Sequence, residues 1–278
     1  MGARTKIDWC DATWNPVTGC LHGCEYCYAR KIAKRFGCAN HEDELENRYG
    51  EYNVVWLHAE EDVHELDCPI ADFYSGKKAP YPWEFDPTFH RYKLDEPQRW
   101  KNPRNIFVCS MADLFGDWVP DEWIQEVFQA CGQAPQHRYL FLTKNPDRYL
   151  DLANLMPQRR RSPNVAEMWF GRSFTGVGPG YVHVLLPLRK TFVSIEPLLR
   201  RLSYKEAAEI AGTSNWVIVG AETGHRNGKV TPEKAWIDDI AAACEEMNTP
   251  VFMKESLREL MGPDFRQEFP WEVSANDA

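Results

Sequence analysis

"IDWCDATWNPVTGCLHGCEYCYARKIAKRF", residues 7 to 36, reads as a strand, a cysteine loop and a helix in succession. The strand is expected around residues 7–15, and "YARKIAKRF" continues as the first helix. The loop between them holds Cys20, Cys24 and Cys27 within eight residues, with Tyr26 and Tyr28 on either side of the third cysteine.

The same order recurs downstream. Short apolar runs rich in β-branched and aromatic residues lie at 105–110 (NIFVCS), 138–143 (RYLFLT), 167–173 (EMWFGRS), 191–196 (TFVSIE), 215–222 (NWVIVGAE) and 249–254 (TPVFMK). Nearly continuous hydrophobicity of this kind suits parallel strands buried on both faces. Helices are expected between them. Pro120 opens one with Trp123, Ile124, Val127, Phe128 and Cys131 on one face. Asn145–Pro146 opens a second, and Ser203 with Glu206 forms a capping-box pattern before a third. Thr231–Pro232 opens a fourth, with Trp236, Ile240, Cys244 and Met247 on one side.

About six or seven such repeats imply α/β architecture, a parallel β/α barrel, partial or full. An open doubly wound sheet is the alternative, weakened by the lack of a Walker-type loop or a GxGxxG after a strand. Residues 1–278 are expected to form a single barrel domain. Residues 38–103, acidic, aromatic and proline-rich without a clean period, are expected to be an insertion over one end or a substrate lid.

Composition narrows the function. The chain has 278 residues, 44% of them hydrophobic, which is ample for a core without disulfides. A formal net charge of −9 argues against loose adhesion to DNA or an acidic membrane, though not against a local basic groove. No apolar stretch is long enough to span a bilayer, and no signal peptide is expected at the N-terminus. Nine cysteines, an odd number, do not form a disulfide framework, so a cytoplasmic location is expected.

The C-x3-C-x2-C spacing leaves three readings of the loop. A closed zinc site needs a fourth ligand, and His22 lies awkwardly between two of the cysteines. Unliganded thiols are a second reading. Three soft thiolates also suit a 4Fe–4S cluster with one iron left open.

With Tyr26 before the last cysteine, the motif resembles the signature of the radical S-adenosylmethionine superfamily. That resemblance implies that Cys20, Cys24 and Cys27 hold three irons of a 4Fe–4S cluster while S-adenosyl-L-methionine chelates the fourth. It further implies reductive C–S cleavage and hydrogen abstraction by a 5′-deoxyadenosyl radical. Over most of the chain, "DATWNPVTGC", "CYAR", "IFVCSMADLF", "FLTKNPDR", "FVSIEPLL", "WVIVGAETG" and "VFMKES" resemble the ordered blocks of a phage-associated three-cysteine-motif family. The stretch "NPVTGC…GCEYCYAR" is also similar, locally, to the spore photoproduct lyase-like DNA repair enzymes. Many members of the phage-associated family space the first two cysteines more widely and carry a Glu-Asn pair where this chain has Thr175–Gly176.

In such barrels the C-terminal ends of strands converge on the active site. Here those positions read Asn15, Ser110 with Asp113, Thr143 with Lys144, Arg172 with Ser173, Glu196, Glu222 and Lys254. Under the resemblance, Asp113 and Glu196 are candidate acceptors for the amine and ribose hydroxyls of S-adenosylmethionine, with Ser110 and Ser173 as hydroxyl partners. Arg172 or Lys144 would take its carboxylate. Glu222 and Lys254 are left for the substrate as candidate catalytic residues.

The implied partners are a reductant, protein or chemical, and a nucleotide or nucleic-acid substrate, with no membrane. Two other readings are a zinc-stabilised binding protein and a radical enzyme acting on a peptide or small metabolite. His41, His58, His64 and Cys68 lack ligand spacing and read as structural or surface residues. Cys109, Cys131 and Cys244 read as core thiols, Trp9 and Trp14 as packing, and the basic run of "ARKIAKRF" as a solvated helix face.

Overall fold

The computed structural model describes residues 5–37, 63–71, 78–155, 165–177 and 189–273. In chain order its main elements are β1 (Ala12–Trp14), β2 (Val17–Thr18), α1 (Tyr28–Phe36), β3 (His64–Leu66), β4 (Thr88–His90), β5 (Asn105–Val108), α2 (Asp121–Gln133) and β6 (Arg138–Thr143). They continue with α3 (Arg148–Asp151), β7 (Glu167–Phe174), β8 (Lys190–Ile195), α4 (Tyr204–Gly212), β9 (Val217–Val219), α5 (Lys234–Glu246) and β10 (Val251–Met253). Seven strands form one parallel sheet in the order β1-β5-β6-β7-β8-β9-β10, with helices between strands. The fold is an α/β partial barrel, as the strand–helix repeats require.

The described residues fall into two compact units. The first comprises Ala12–Tyr139 with the stretch from Asp151 to Glu167; the second comprises Thr5–Asp11, Leu140–Leu150 and the chain from Met168 onward.

In the first unit β1 pairs with β5 in register Ala12↔Ile106 to Trp14↔Val108. This strand is shorter than the expected 7–15. Pro16, without an N–H, stops the ladder, and the chain turns into β2. A second sheet, β2-β4-β3, then builds on Val17 and Thr18. Part of the 38–103 stretch is therefore sheet, with Leu66, Phe85 and Phe89 buried; residues 38–62 and 72–77, including Cys38, His41 and His58, lie outside the described residues. Helix α2 buries the five side chains its periodicity selects, and Trp123 stacks on Phe89 at 5.1 Å. His64 stacks on Trp83 at 4.4 Å, and Cys68 is exposed.

In the second unit the strands bury both faces, as continuous hydrophobicity requires. Val193, Ile195, Val217, Val219, Val251 and Met253 pack with Ile210, Ile237, Ile240 and Cys244 of the helices. The alternate residues Phe192 and Phe252 meet Trp216, with Trp9 beside them at 6.0 Å from Phe192. Ser203 and Glu206 form the expected capping box on α4.

Two helices differ from their sequence reading. The stretch from Asn145 yields only the turn α3, with Tyr149 and Leu152 buried and Leu150 and Leu155 exposed. Helix α5 starts at Lys234, and Met247 falls beyond its end, 40% exposed. Cys109, Cys131 and Cys244 are buried, and burial pushes the thiols of Cys109 and Cys244 up to about 12.

Candidate functional site

The cysteine loop is held by its backbone. Gly19 adopts φ +87°, and a Cβ there would sit 2.2 Å from the carbonyl oxygen of Asp86, so only glycine fits. Its N–H donates to the Met111 carbonyl at 2.9 Å, and the Cys20 N–H donates to the Phe85 carbonyl at 3.1 Å. Further on, the Cys27 N–H donates to the Cys24 carbonyl at 3.2 Å. Cys27 is then the N-cap of α1, its Sγ accepting the Arg30 N–H at 3.4 Å. Arg30 turns back: its Nη2 donates to the Cys20 carbonyl at 3.1 Å and its guanidinium lies 5.1 Å from the centre of the Phe85 ring.

The turn after β5 supplies the loop's polar neighbours. Cys109, at φ +58°, redirects the chain. Asn15 Oδ1 accepts from Ser110 Oγ at 3.1 Å and from the Met111 N–H at 3.0 Å. The Tyr28 hydroxyl donates to the Ser110 carbonyl at 2.7 Å. Asp113 is buried; its Oδ2 lies 2.7 Å from His22 Nε2, and its Oδ1 accepts the Phe115 N–H at 3.1 Å. The His22 ring meets Trp118 edge-on at 4.9 Å. Ser110 and Asp113 are thus brought to the cysteines.

The donor set suits a soft, multi-thiolate centre. Burial pushes the Cys20 thiol up to about 12, opposed by a backbone hydrogen bond from His22 and reinforced by Asp113, Cys24 and Cys27. Three thiolates brought onto one centre would repel one another without a cation between them, and binding such a cation would release thiol protons. Among the described residues no three His, Cys, Asp or Glu side chains converge into a metal-ready group.

The second unit holds the remaining candidates, largely as pairs. Lys144 Nζ donates to Ser173 Oγ at 3.3 Å, and Arg172 is half-buried on β7. Glu196 pairs with Lys254. A Cβ at Gly220 would stand 2.9 Å from Lys254 Cδ, so the glycine leaves room for that pair. Glu222 is buried and bidentate with Arg226, at 2.7 and 2.9 Å, and accepts the Val230 N–H at 3.4 Å. Arg226 holds the Glu222 carboxyl below the usual carboxylate range.

The family described as "Protein of unknown function (DUF5131)" matches residues 4–258. The chain belongs to this family. No curated protein matches the sequence. Among solved structures, spore photoproduct lyase complexed with dinucleoside spore photoproduct is similar at a TM-score of 0.50 and 10% identity, over 91% of this chain and 79% of that one. A double mutant of that lyase with bound AdoMet and dinucleoside spore photoproduct gives 0.49 and 10%, over 90% and 78%. At such identity the likeness of the DUF5131 chain to the lyase is one of fold.

Several residues of this DUF5131 site escape sequence reasoning. Gly19 needed a wall 67 residues away to show its purpose. His22, weighed only as a ligand, is bonded to Asp113. Arg30, read within a solvated basic run, faces the loop; its one local signal is its position three residues after Cys27, where an N-cap side chain meets the helix. Arg226, four residues after Glu222, shows the spacing of a local ion pair.

Proposed function

We propose that this protein is a radical S-adenosylmethionine enzyme in which Cys20, Cys24 and Cys27 hold a 4Fe–4S cluster. The observation that carries the reading is the cysteine loop itself: three thiols in C-x3-C-x2-C spacing, after the first strand of an α/β partial barrel and ending as the N-cap of its first helix. When bound, such a cluster supplies the electron for reductive cleavage of S-adenosylmethionine, which sets up hydrogen abstraction from a substrate.

The chain's own residues hold the loop and receive the cosubstrate. Arg30 and Gly19 fix the Cys20 backbone. Asp113 steadies the loop through His22, in addition to its proposed role toward the S-adenosylmethionine amine, and Ser110 offers a hydroxyl. In the second unit, Lys144 or Arg172 is assigned to the methionyl carboxylate, Glu196 with Ser173 to hydroxyl or amine groups, and Glu222 and Lys254 to the substrate. A nucleobase or nucleotide, in phage DNA modification, is the proposed substrate class. Local sequence resemblance supports it, and the like-folded lyase is complexed with a dinucleoside.

The test is anaerobic purification with iron, sulfide and zinc quantified, beside Cys24→Ala. About four irons per chain, lost in the variant, are expected for a 4Fe–4S centre. Stoichiometric zinc with no iron uptake on reconstitution would overturn the reading.

A further inference from the structure

Helix α1 runs against the charge of the whole chain. The protein has a formal net charge of −9, yet α1 contains Arg30, Lys31, Lys34 and Arg35 and no acid. Arg30 turns inward to Cys20. Lys31, Lys34 and Arg35 are exposed, and among the described residues none has an ion-pair partner. By contrast Arg91, Arg138, Arg226 and Lys254 each sit against a carboxylate.

The apolar stripe of this helix is also reversed. Tyr28, Ile32 and Phe36 recur every four residues and so share a face; they are 49%, 37% and 54% exposed. An amphipathic helix normally turns such a stripe to the core, but here Ala29 and Ala33 are the buried residues. The Arg35 guanidinium lies 5.4 Å from the centre of the Phe36 ring, placing charge beside the stripe. Leu21, within the cysteine loop, is likewise 45% exposed.

We propose that this face of α1 docks a small acidic one-electron carrier protein that reduces the centre held by the cysteines; the inference rests on the radical reading above. Each cleavage of a sulfonium C–S bond consumes one electron. The carrier is oxidised by one electron as the protein's centre is reduced by one, so the exchange balances. Position favours this partner, because α1 begins next to Cys27 and rises about 1.5 Å per residue, keeping the whole stripe within about 12 Å of its first turn. Size favours it too: one short helix face matches the small interfaces of transient redox encounters. The net charge of −9 disfavours a long nucleic acid as the occupant.

The test compares wild type with K31E/K34E/R35E, and with K31Q/K34Q/R35Q in case acids at the helix C-terminus impair folding. Reduced flavodoxin is the probe. Its binding is measured by titration, and S-adenosylmethionine cleavage is driven either by flavodoxin or by dithionite. Charge reversal is expected to weaken flavodoxin binding and the flavodoxin-driven rate at least tenfold, with the dithionite-driven rate unchanged. The glutamine variant shows a smaller loss in the same direction, and raising salt weakens only wild-type binding. Equal flavodoxin binding and rates in all three proteins overturn the docking face while leaving the cluster reading intact. Loss of binding to a single-stranded oligonucleotide with flavodoxin binding unchanged assigns the face to nucleic acid and overturns it as well. No cleavage by wild type with dithionite removes the radical reading, and this inference with it.

Discussion

The cysteine loop and the polar groups of the second unit solve opposite problems. Around Cys20 the backbone is fixed by Gly19, Phe85, Met111 and Arg30, and Cys27 caps α1 through its Sγ. In the second unit the charges are matched to one another, Glu196 with Lys254 and Glu222 with Arg226. A fixed backbone beneath three thiols is what the proposed cluster reading would need. Matched charges keep these buried and half-buried groups from destabilising the fold.

The sharpest way to break that contrast is Gly19→Ala. The substitution drives a Cβ to 2.2 Å from the Asp86 carbonyl oxygen in a left-handed backbone, and is expected to cost about 3 kcal/mol or more. Thermal unfolding and iron uptake on reconstitution check it; a variant that loads iron like wild type would show the loop is not templated by its wall.

The counterpart is Glu222→Ala, expected to cost about 2 kcal/mol because Arg226 keeps its charge without its partner. Urea midpoints for Glu222→Ala, Arg226→Ala and the double variant should show strong coupling, and additivity would deny the pair. The sign with pH follows from the lowered carboxyl. Its contribution is present above the ordinary glutamate range, about pH 4.3, and is lost as pH falls through the depressed native value.

The first unit should feel acid earlier. His90 is buried against Thr18 and Tyr92, and burial, with Lys93, pushes its pKa down to about 2. The unfolded chain takes up that proton below about pH 6.5, so stability falls by up to about 1.4 kcal/mol per pH unit from there. Amide exchange at pH 5.5 should therefore speed up in the first unit before the second, and His90→Gln should flatten the difference. Smallest is Ser203→Ala, which removes the α4 cap for about 1 kcal/mol, read as a modest drop in melting temperature.

Much of this was legible in the residues, for physical reasons that also mark where reading stops. Buried parallel strands announce themselves by continuous hydrophobicity, and β6 and α1 keep the boundaries their sequence suggests. Cysteine spacing is equally local. The sheet made of β2, β3 and β4 was hidden because its strands are two or three residues long and pair across a wide gap in sequence. The environments of Gly19, His22 and Arg30 were hidden for the same reason: each depends on a partner that periodicity cannot name. Glu222 stands out by its place at a strand end and Arg226 by its i,i+4 spacing, but the bidentate contact between them is a matter of geometry.

The walls of the cysteine loop also set a timetable. His22 meets Asp113 across 91 residues of chain, and Phe85 and Met111 are likewise late arrivals. At about 5–20 residues per second, the three thiols leave the ribosome roughly 5–20 s before the surface that shapes their loop exists. A centre loaded in that interval would form on an unshaped peptide. Under the proposed cluster reading, loading would therefore belong after residue 113 has emerged.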